Sequence, residues 1–313
     1  MPPSTHGLNF SKGYNRKSTV SLLAVLEALL LKAIPTDLTT NVKNRNLIEL
    51  QKMLGIEEWY ATKHLEDLES YRESIVREQR LETGYEQMYP DNIKRLREDE
   101  ALAAWCQGDM GCSAKSLLIL TGISNSLIAP MKRHCWLSPF AINTINRLTK
   151  ESATVAFYIF REPDHTSIKE AVPILIFHLL SSRSHDMGDH QLALAAEAQR
   201  FLTHKGRPDS YEKCIASLRR LLVQAVRVFG EEDEVHIVLD RVDMCDNMQR
   251  DDLLRMLVEG MNTAACSIKV LVVRQGESAW KPNERELEAK LQKPATLRHV
   301  ARTQRQTLGG SMY

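Results

Sequence analysis

The stretch Glu234–Asp246, EVHIVLDRVDMCD, decides the fold that the sequence predicts. Its first part, Val235–Leu239, has the apolar pattern of a strand buried on both faces of a sheet, and Asp240 ends it. An acid at the end of a parallel strand lies at the sheet edge where open α/β folds bind ligands. A buried strand followed by an ordinary acidic turn is the alternative.

Working outward, the sequence alternates short apolar runs with longer helical stretches. Further strands are predicted at Ala101–Cys106, Thr154–Phe160 and Ile268–Val273. Helices are predicted between them, at about 115–128, 167–181, 190–204, 210–229 and 249–262. Near-continuous apolar strands separated by helices indicate a parallel sheet covered on both faces. The predicted fold class is therefore α/β, with a three-layer parallel sheet of P-loop NTPase type and an N-terminal helical extension.

A second motif, GDMGCSAKSLL at Gly108–Leu118, follows the first predicted strand and opens a predicted helix. A loop in that setting binds phosphate, because glycines let backbone N–H groups turn toward the anion and the helix N-terminus adds positive charge. Lys115 would reach the outer phosphates, and the Ser116 hydroxyl would bind Mg²⁺. The residues assigned to nucleotide binding are Gly108, Gly111, Ser113, Ala114, Lys115 and Ser116.

The spacing of this loop departs from the usual one. Four residues normally separate two glycines, and the second glycine directly precedes the lysine. Here five residues separate Gly108 from Ala114, which stands at the position of that glycine. A Cβ there costs on the order of 1 kcal/mol or more if the loop requires positive φ. An ordinary glycine-containing strand–helix turn is the alternative interpretation.

Residues at predicted strand ends complete the candidate site. Asp240 is assigned to Mg²⁺ together with Ser116. Asp243 follows three residues later, and Arg274 ends the next strand, in the position of a γ-phosphate sensor. Asp243 and Arg274 are therefore the candidate catalytic residues, although a strand-end arginine is more often a surface charge. The order of the two motifs, about 130 residues apart and each at a strand edge, favours a shared site.

These motifs resemble the fungal NACHT-like branch of the signal-transduction (STAND-class) NTPases over roughly residues 82–276. In that family a Thr-Gly pair and a tryptophan precede the phosphate loop, as Thr83, Gly84 and Trp105 do here. The family's aromatic second strand, with its acidic-basic turn and Leu-Leu helix, is similar to VAFYIFREPDHTSIKEAVPILIFHLL. The family's acid strand is similar to VHIVLDRVDMC, with Cys245 in place, and its next strand to KVLVVR.

The resemblance implies ATP or GTP bound with Mg²⁺, and partner binding or self-association that responds to the nucleotide. Met244 stands where the family has the acid that polarises the attacking water, and losing such a group typically costs ~10²–10⁴ in rate. Val273 replaces the family's Ser or Thr. The predicted function is a NACHT-like nucleotide-binding signalling or scaffold protein with weak or no hydrolysis. A pseudo-NTPase interaction module without nucleotide, and a small-molecule or nucleoside kinase, are the alternatives.

Composition divides the chain into four regions. Residues 1–17 are predicted to be a disordered arm, 18–99 a helical region, and 100–276 the NTPase-like domain. Residues 277–313 are basic, and Leu297–Val300 within them is either a weak last strand or part of a tail. Protein partners, or a second copy of the chain, are expected to bind the apolar helix at 20–34 and the charged helices at 42–80.

Charge and cysteine usage exclude several classes of protein. The formal net charge of +1 gives no global field for nucleic acid. Six scattered cysteines without a C-x-x-C pair predict reduced thiols in a cytoplasmic protein rather than a zinc ribbon or a disulfide scaffold. The apolar run Val20–Ile34 is too short to span a bilayer of ~30 Å. A mitochondrial presequence is an alternative, since the first 26 residues carry no acid.

Overall fold

A computed structural model describes residues 46–56, 68–74, 102, 105, 115–124, 135, 137–161, 167–183, 190–246, 249–276, 281–292 and 296–304. The chain divides into two compact units, Met1–Asn46 and Leu47–Tyr313. The sheet and its helices belong to the second unit. The predicted helix at 18–33 lies outside the described residues. Within the described part of 42–80, residues 46–54 and 68–74 are helical, as predicted.

Five parallel strands form one sheet. They are β1 (Ser116–Ser124), β2 (Thr154–Ile159), β3 (Glu234–Asp240), β4 (Ser267–Gln275) and β5 (Thr296–Gln304). Their order across the sheet is β2-β3-β4-β1-β5, and every neighbouring pair is parallel. In this order β1 lies between β4 and β5. The connection from β1 to β2 therefore crosses β4 and β3.

Helices connect the strands. The first, α1 (Ser138–Lys150), links β1 to β2. Three helices link β2 to β3: α2 (Ile168–Ser181), α3 (His190–Lys205) and α4 (Tyr211–Val226). The remaining two are α5 (Arg250–Thr263), before β4, and α6 (Glu284–Lys290), before β5. Short 3-10 turns lie at Pro208–Ser210 and Val242–Met244.

The sheet separates two apolar cores, because successive side chains of a strand point to opposite faces. Leu117 and Ile119 of β1 pack with α2 to α6, whereas Leu118 and Leu120 pack with α1. The N-terminal helical residues join both cores, with Leu50 and Leu54 in the first and Leu68, Tyr71, Leu102 and Trp105 in the second. The predicted α/β fold, a three-layer parallel sheet of P-loop NTPase type, is confirmed.

The connections fix where a ligand would bind. The connection from β1 runs across the sheet toward β2, whereas the connection from β4 runs in the opposite direction, toward β5. Right-handed crossovers in opposite directions place their helices on opposite faces, as the two cores show. Adjacent strands with diverging connections create a crevice at their carboxyl ends. The candidate site is therefore expected at the carboxyl edge of β1, β3 and β4.

Two predicted elements were wrong. The predicted strand Ala101–Cys106 contains helical residues at Leu102 and Trp105. The predicted helix at 115–128 is the strand β1, because a short apolar run fits a buried strand and a buried helix equally well. The helices α1 and α6 were not predicted, and Leu297–Val300, which the sequence allows as a strand or a tail, lies in β5.

Two further expectations concern thiols and membranes. Cys135, Cys214, Cys245 and Cys266 are buried free thiols, as the scattered spacing predicted. Cys106 and Cys112 lie outside the described residues. Within the described part of the chain, no helix has the length and apolar character needed to cross a membrane.

Candidate functional site

Asp240 is the centre of a hydrogen-bonded cluster at the carboxyl edge of the sheet. It ends β3 and is completely buried. Ser138 Oγ donates to Asp240 Oδ1 at 3.1 Å, and the Tyr71 hydroxyl donates to Asp240 Oδ2 at 2.9 Å. Ser138 and Tyr71 are themselves almost completely buried. Both oxygens of the carboxylate are therefore bonded to side chains of the same chain.

Ser138 is the first residue of α1, on the chain segment that leaves β1. Strand, loop and helix N-terminus follow one another here, which is the setting that a phosphate loop requires. In P-loop NTPases a serine or threonine of that loop and an acid at a strand end hold Mg²⁺ together. The contact between Ser138 and Asp240 resembles this pair, so the connection from β1 to α1, rather than 108–116, stands where that fold has its phosphate loop.

The loop between β1 and α1 lacks the rest of the phosphate-binding pattern. In that pattern a lysine directly precedes the serine and contacts the outer phosphates. Here Leu137 precedes Ser138, is 1% exposed and packs in the core around α1. The segment from Gly122 to Ser138 is also nine residues longer than the pattern allows. Lys132 belongs to this segment but lies outside the described residues.

Tyr71 reaches the cluster from the helical segment at 68–74. Its hydroxyl lies 3.4 Å from Ser138 Oγ as well as against Asp240. The Arg161 guanidinium, just after β2, lies 5.5 Å from the centre of the Tyr71 ring. Burial, and then the neighbouring Asp240 charge, raises the pKa of Tyr71 well above its usual value. The tyrosine is therefore a neutral donor over the whole physiological pH range.

Asp240 is an unusually weak acid for an aspartate. Burial raises its pKa to about 6, although the hydrogen bonds from Ser138 and Tyr71 and the nearby Arg241 charge oppose the rise. A carboxyl group in this state carries its charge only partly near pH 6. Its negative charge at pH 7 depends on the two donors that contact it.

Asp243 is hydrogen-bonded to groups of the protein itself. Arg241 has a left-handed backbone (φ 57°), and its Nη2 donates to Asp243 Oδ2 at 3.0 Å. The backbone N–H of Gln275 donates to Asp243 Oδ1 at 3.0 Å. Burial lowers the pKa of Arg241, but the Asp243 charge outweighs it and the pKa is raised. The proposed catalytic role of Asp243 stays a prediction.

Arg274 occupies the penultimate position of β4 and is 2% exposed. Its Nη2 lies 3.3 Å from the backbone oxygen of Gln275, and burial lowers its pKa. Its own backbone oxygen accepts from Cys135 Sγ at 3.5 Å. The strand-end position was predicted correctly, and the sensor role stays a prediction.

Lys115 and Ser116 lie at the opposite edge of the sheet, which corrects their assignment to the phosphate loop. Ser116 begins β1, and Lys115 Nζ donates to the backbone oxygen of Ala264 at 2.7 Å. In the register of the sheet, Lys115 lies five residues before the level of Asp240, or roughly 16 Å along the strands. Ser116 therefore cannot share a metal ion with Asp240.

The other residues of the predicted loop lie outside the described residues; they are Gly108, Gly111, Ser113 and Ala114. The residues of the cluster that sequence reasoning missed are Tyr71 and Ser138. One signal for Ser138 was present, because Ser-Pro before an apolar run is typical of a helix N-terminus. No local signal marks Tyr71, since its contact with Asp240 spans 169 residues.

The cluster does not fit Mg-nucleotide in the arrangement that the structure shows. Both carboxylate oxygens of Asp240 accept hydrogen bonds from buried side chains, and a buried leucine precedes Ser138. Among the residues that the structure describes, no three His, Cys, Asp or Glu side chains are grouped as metal ligands. The geometry shows Ser138 hydrogen-bonded to Asp240, with the Tyr71 hydroxyl bonded to the same carboxylate.

Comparison with known proteins gives one family match. The family model described as "Nephrocystin 3, N-terminal" matches residues 90–274, more than half of the chain. The matched range includes α1, β3 and nearly all of β4, and so contains Ser138 and Asp240. No curated protein matches the chain.

Solved structures add only a distant similarity. The Drosophila ORC bound to AT-rich DNA and Cdc6 is 13% identical, with a TM-score of 0.32, over 96% of this chain and 36% of that chain. The Drosophila ORC bound to DNA is 14% identical, with a TM-score of 0.33, over 96% of this chain and 38% of that chain. This chain thus spans little more than a third of the ORC chains, and the similarity carries no functional argument.

Proposed function

Because the chain belongs to the nephrocystin 3 N-terminal family, we propose that it is a NACHT-like interaction module that keeps the P-loop NTPase fold without hydrolysing nucleotide. The observation that carries the proposal is Leu137, buried directly before the serine that contacts the strand-end acid. In the phosphate-loop pattern, the residue before the serine is a lysine that contacts the outer phosphates of the nucleotide. Here Leu137 stands at that position and supplies no positive charge.

Two further observations support a module without turnover. Asp243 is bonded to Arg241 and to the Gln275 N–H, so it is not available to orient a water molecule. Met244 follows it, is apolar, and packs against the core below α2 to α6. The position that polarises water in the resembled family is therefore filled by a side chain without proton-transfer chemistry.

The partner surface proposed for such a module is the N-terminal helical region. The segments at 46–54 and 68–74 already pack on the two faces of the sheet through Leu50, Leu54, Leu68 and Tyr71. A partner or a second copy that binds this region would contact elements that are attached to the core. The kinase alternative gains nothing from the site, because phosphoryl transfer depends on the same phosphate contacts that Leu137 lacks.

Nucleotide titration of the full chain tests the proposal. Calorimetry with Mg-ATP and Mg-GTP is expected to show binding weaker than about 1 mM, corresponding to less than ~4 kcal/mol, and no phosphate release. Lys132→Ala, Asp240→Asn and Lys115→Ala form the variant set. Micromolar binding that Lys132→Ala and Asp240→Asn abolish, while Lys115→Ala leaves it intact, would overturn the proposal, because the long loop would then supply the missing lysine.

Self-association tests the proposed surface separately. Sedimentation of the full chain is expected to show concentration-dependent assembly that Leu26→Asp with Leu30→Asp abolishes, since a charge in an apolar contact is strongly unfavourable. Leu192→Asp is the matched control, because Leu192 is 80% exposed on α3. Equal assembly of both variants and the wild type would exclude the apolar segment at 20–34 as the partner surface.

A further inference from the structure

The helical residues that precede the sheet contact both ends of β3 on one face. His236, Val238 and Asp240 alternate along β3, so their side chains point to the same face, which carries the core around α1. Tyr71 is bonded to Asp240 at the carboxyl end of the strand. At the amino end, the ring of Trp105 meets the ring of His236 edge to face, with the centroids 6.1 Å apart. This second contact brings two ring nitrogens together in an apolar core.

Both of these nitrogen atoms are buried. Trp105 is 4% exposed and His236 is 6% exposed. Trp105 Nε1 and His236 Nδ1 have no hydrogen-bond partner among the residues that the structure describes. Leaving a buried donor or acceptor unpaired is costly, so such groups are normally bonded to the protein or to a water molecule. The contact between Trp105 and His236 therefore requires a partner for each nitrogen.

The other nitrogen of the imidazole decides which atom donates. His236 Nε2 faces Glu234 Oε1 at 3.5 Å, so the ring proton belongs on Nε2 and Nδ1 is an acceptor. The indole Nε1–H of Trp105 is only a donor. One water molecule satisfies both atoms, because it accepts from Trp105 and donates to His236.

We propose that Trp105 and His236 bind one buried water molecule, and that this bridge is an acid-labile joint that holds the helical residues Leu102 and Trp105 on the amino edge of the sheet. A protonated imidazole has a donor at Nδ1, so His236 could then no longer accept from the water. The joint involves neither nucleotide nor metal ion, and it goes beyond the proposed function.

The surroundings of His236 oppose its protonation while the joint is closed. Burial lowers its pKa to about 4, and the charges of Lys269 on β4 and Arg147 on α1 act in the same direction. Glu234 on β3 opposes the decrease in the pKa, but Glu234 also forms an ion pair with Lys269. An imidazole that reaches water when the joint opens has an ordinary pKa of ~6.5. Acid therefore favours the open joint.

Hydrogen exchange in the wild-type full chain tests the joint without any substitution. With a pKa of about 4 when closed and ~6.5 when open, linkage increases the opening constant about 30-fold between pH 7.5 and pH 5. After correction for the intrinsic rate at each pH, amide exchange in a peptide containing 102–105 is expected to speed up about 10-fold more than exchange in α4. An equal response in the two peptides would overturn the joint, because the acid effect would then be global.

Variants at the two rings separate the joint from general packing. His236→Asn keeps an acceptor near the position of Nδ1 but does not titrate, so it should retain slow exchange at pH 7.5 and lose the pH response. His236→Phe removes the acceptor and Trp105→Phe removes the donor, so each is expected to speed exchange at 102–105 by about 5- to 10-fold at pH 7.5. His299→Asn is the matched control, since His299 lies on β5 and contacts Thr121. A pH response that survives His236→Asn would overturn the joint.

Crystallography of the full chain at neutral pH tests the water molecule itself. One water is expected within about 3.2 Å of both Trp105 Nε1 and His236 Nδ1. The same position in His236→Phe is expected to hold no water, because only one polar partner would remain there. A direct contact between the two nitrogens, or a dry gap between the rings of the wild type, would overturn the water site.

Discussion

The two edges of the sheet bury charge in different ways. At the carboxyl edge, Asp240 is bonded to Ser138 and Tyr71, which lie 102 and 169 residues away in the chain. At the amino edge, Glu234 pairs with His236 on the same strand and with Lys269 on the adjacent strand. Side chains on the same strand or on paired strands come into contact whenever the strands pair. Side chains from segments far apart in the chain meet only when the whole domain is folded. This difference favours the carboxyl edge as the candidate site.

The two edges also respond to pH in opposite directions. Burial lowers the pKa of His236 to about 4, although the Glu234 charge opposes it, and burial raises the pKa of Asp240 to about 6. The stability from neutral His236 is present above its unfolded pKa of ~6.5 and is lost as pH falls toward 4. The stability associated with neutral Asp240 is present below ~3.8 and is lost as pH rises through 6. Between pH 4 and pH 7.5 these two contributions largely offset each other.

The largest expected effect comes from removing the titrating group at the amino edge. Without His236, the unfolding free energy at pH 7.5 relative to that at pH 4 is expected to be about 3 kcal/mol lower than in the wild type, because the Asp240 contribution is then no longer offset. Urea unfolding of His236→Gln and wild type at several pH values measures this slope, and any constant cost of the substitution cancels. Identical slopes for the two proteins would mean that His236 is not the buried neutral group that the geometry indicates.

Asp240→Asn is expected to raise the unfolding free energy at pH 7.5 relative to that at pH 4 by about 2 kcal/mol. The variant has no buried carboxyl group that must become charged over this pH range. The same urea series measures it. The double variant with His236→Gln provides the control, since the sites are on different edges and their effects should add. A slope unchanged from wild type would show that Asp240 is already ionised at pH 4 and would remove the contrast between the edges.

Ser138→Ala sharpens the comparison within the carboxyl edge. The hydrogen bond from Ser138 lowers the pKa of Asp240, so its loss should raise that pKa further. The variant is expected to lose about 1 kcal/mol more at pH 7.5 than at pH 4, where the carboxyl group is largely neutral. Thr144→Ala, a buried polar residue on the same helix, controls for packing of α1. A cost independent of pH would contradict the assignment of Ser138 as a donor to the charged carboxylate.

Particular residues show how far the sequence could lead. The strands β2, β3 and β4 were predicted because their runs are apolar and rich in Val, Ile and Phe, and Asp240 followed from the strand that it ends. The glycine–lysine pattern did not reveal that its lysine enters a strand, since SLLILTGIS at 116–124 has no period that separates strand from helix. Tyr71 was beyond local reasoning, because only the folded sheet brings it to Asp240.

The smallest effect is expected at the lysine that the sequence made most conspicuous. Lys115 donates to the Ala264 backbone oxygen, at the amino end of β4, from a half-buried position. Lys115→Met keeps the stem and removes one hydrogen bond, so it should cost less than about 1 kcal/mol in urea unfolding. Because Lys115 lies roughly 16 Å along the strands from Asp240, the variant should also leave unchanged the pH dependence of stability that Asp240→Asn alters. A clear change in that pH dependence would mean that the two edges communicate, and the contrast between them would then be wrong.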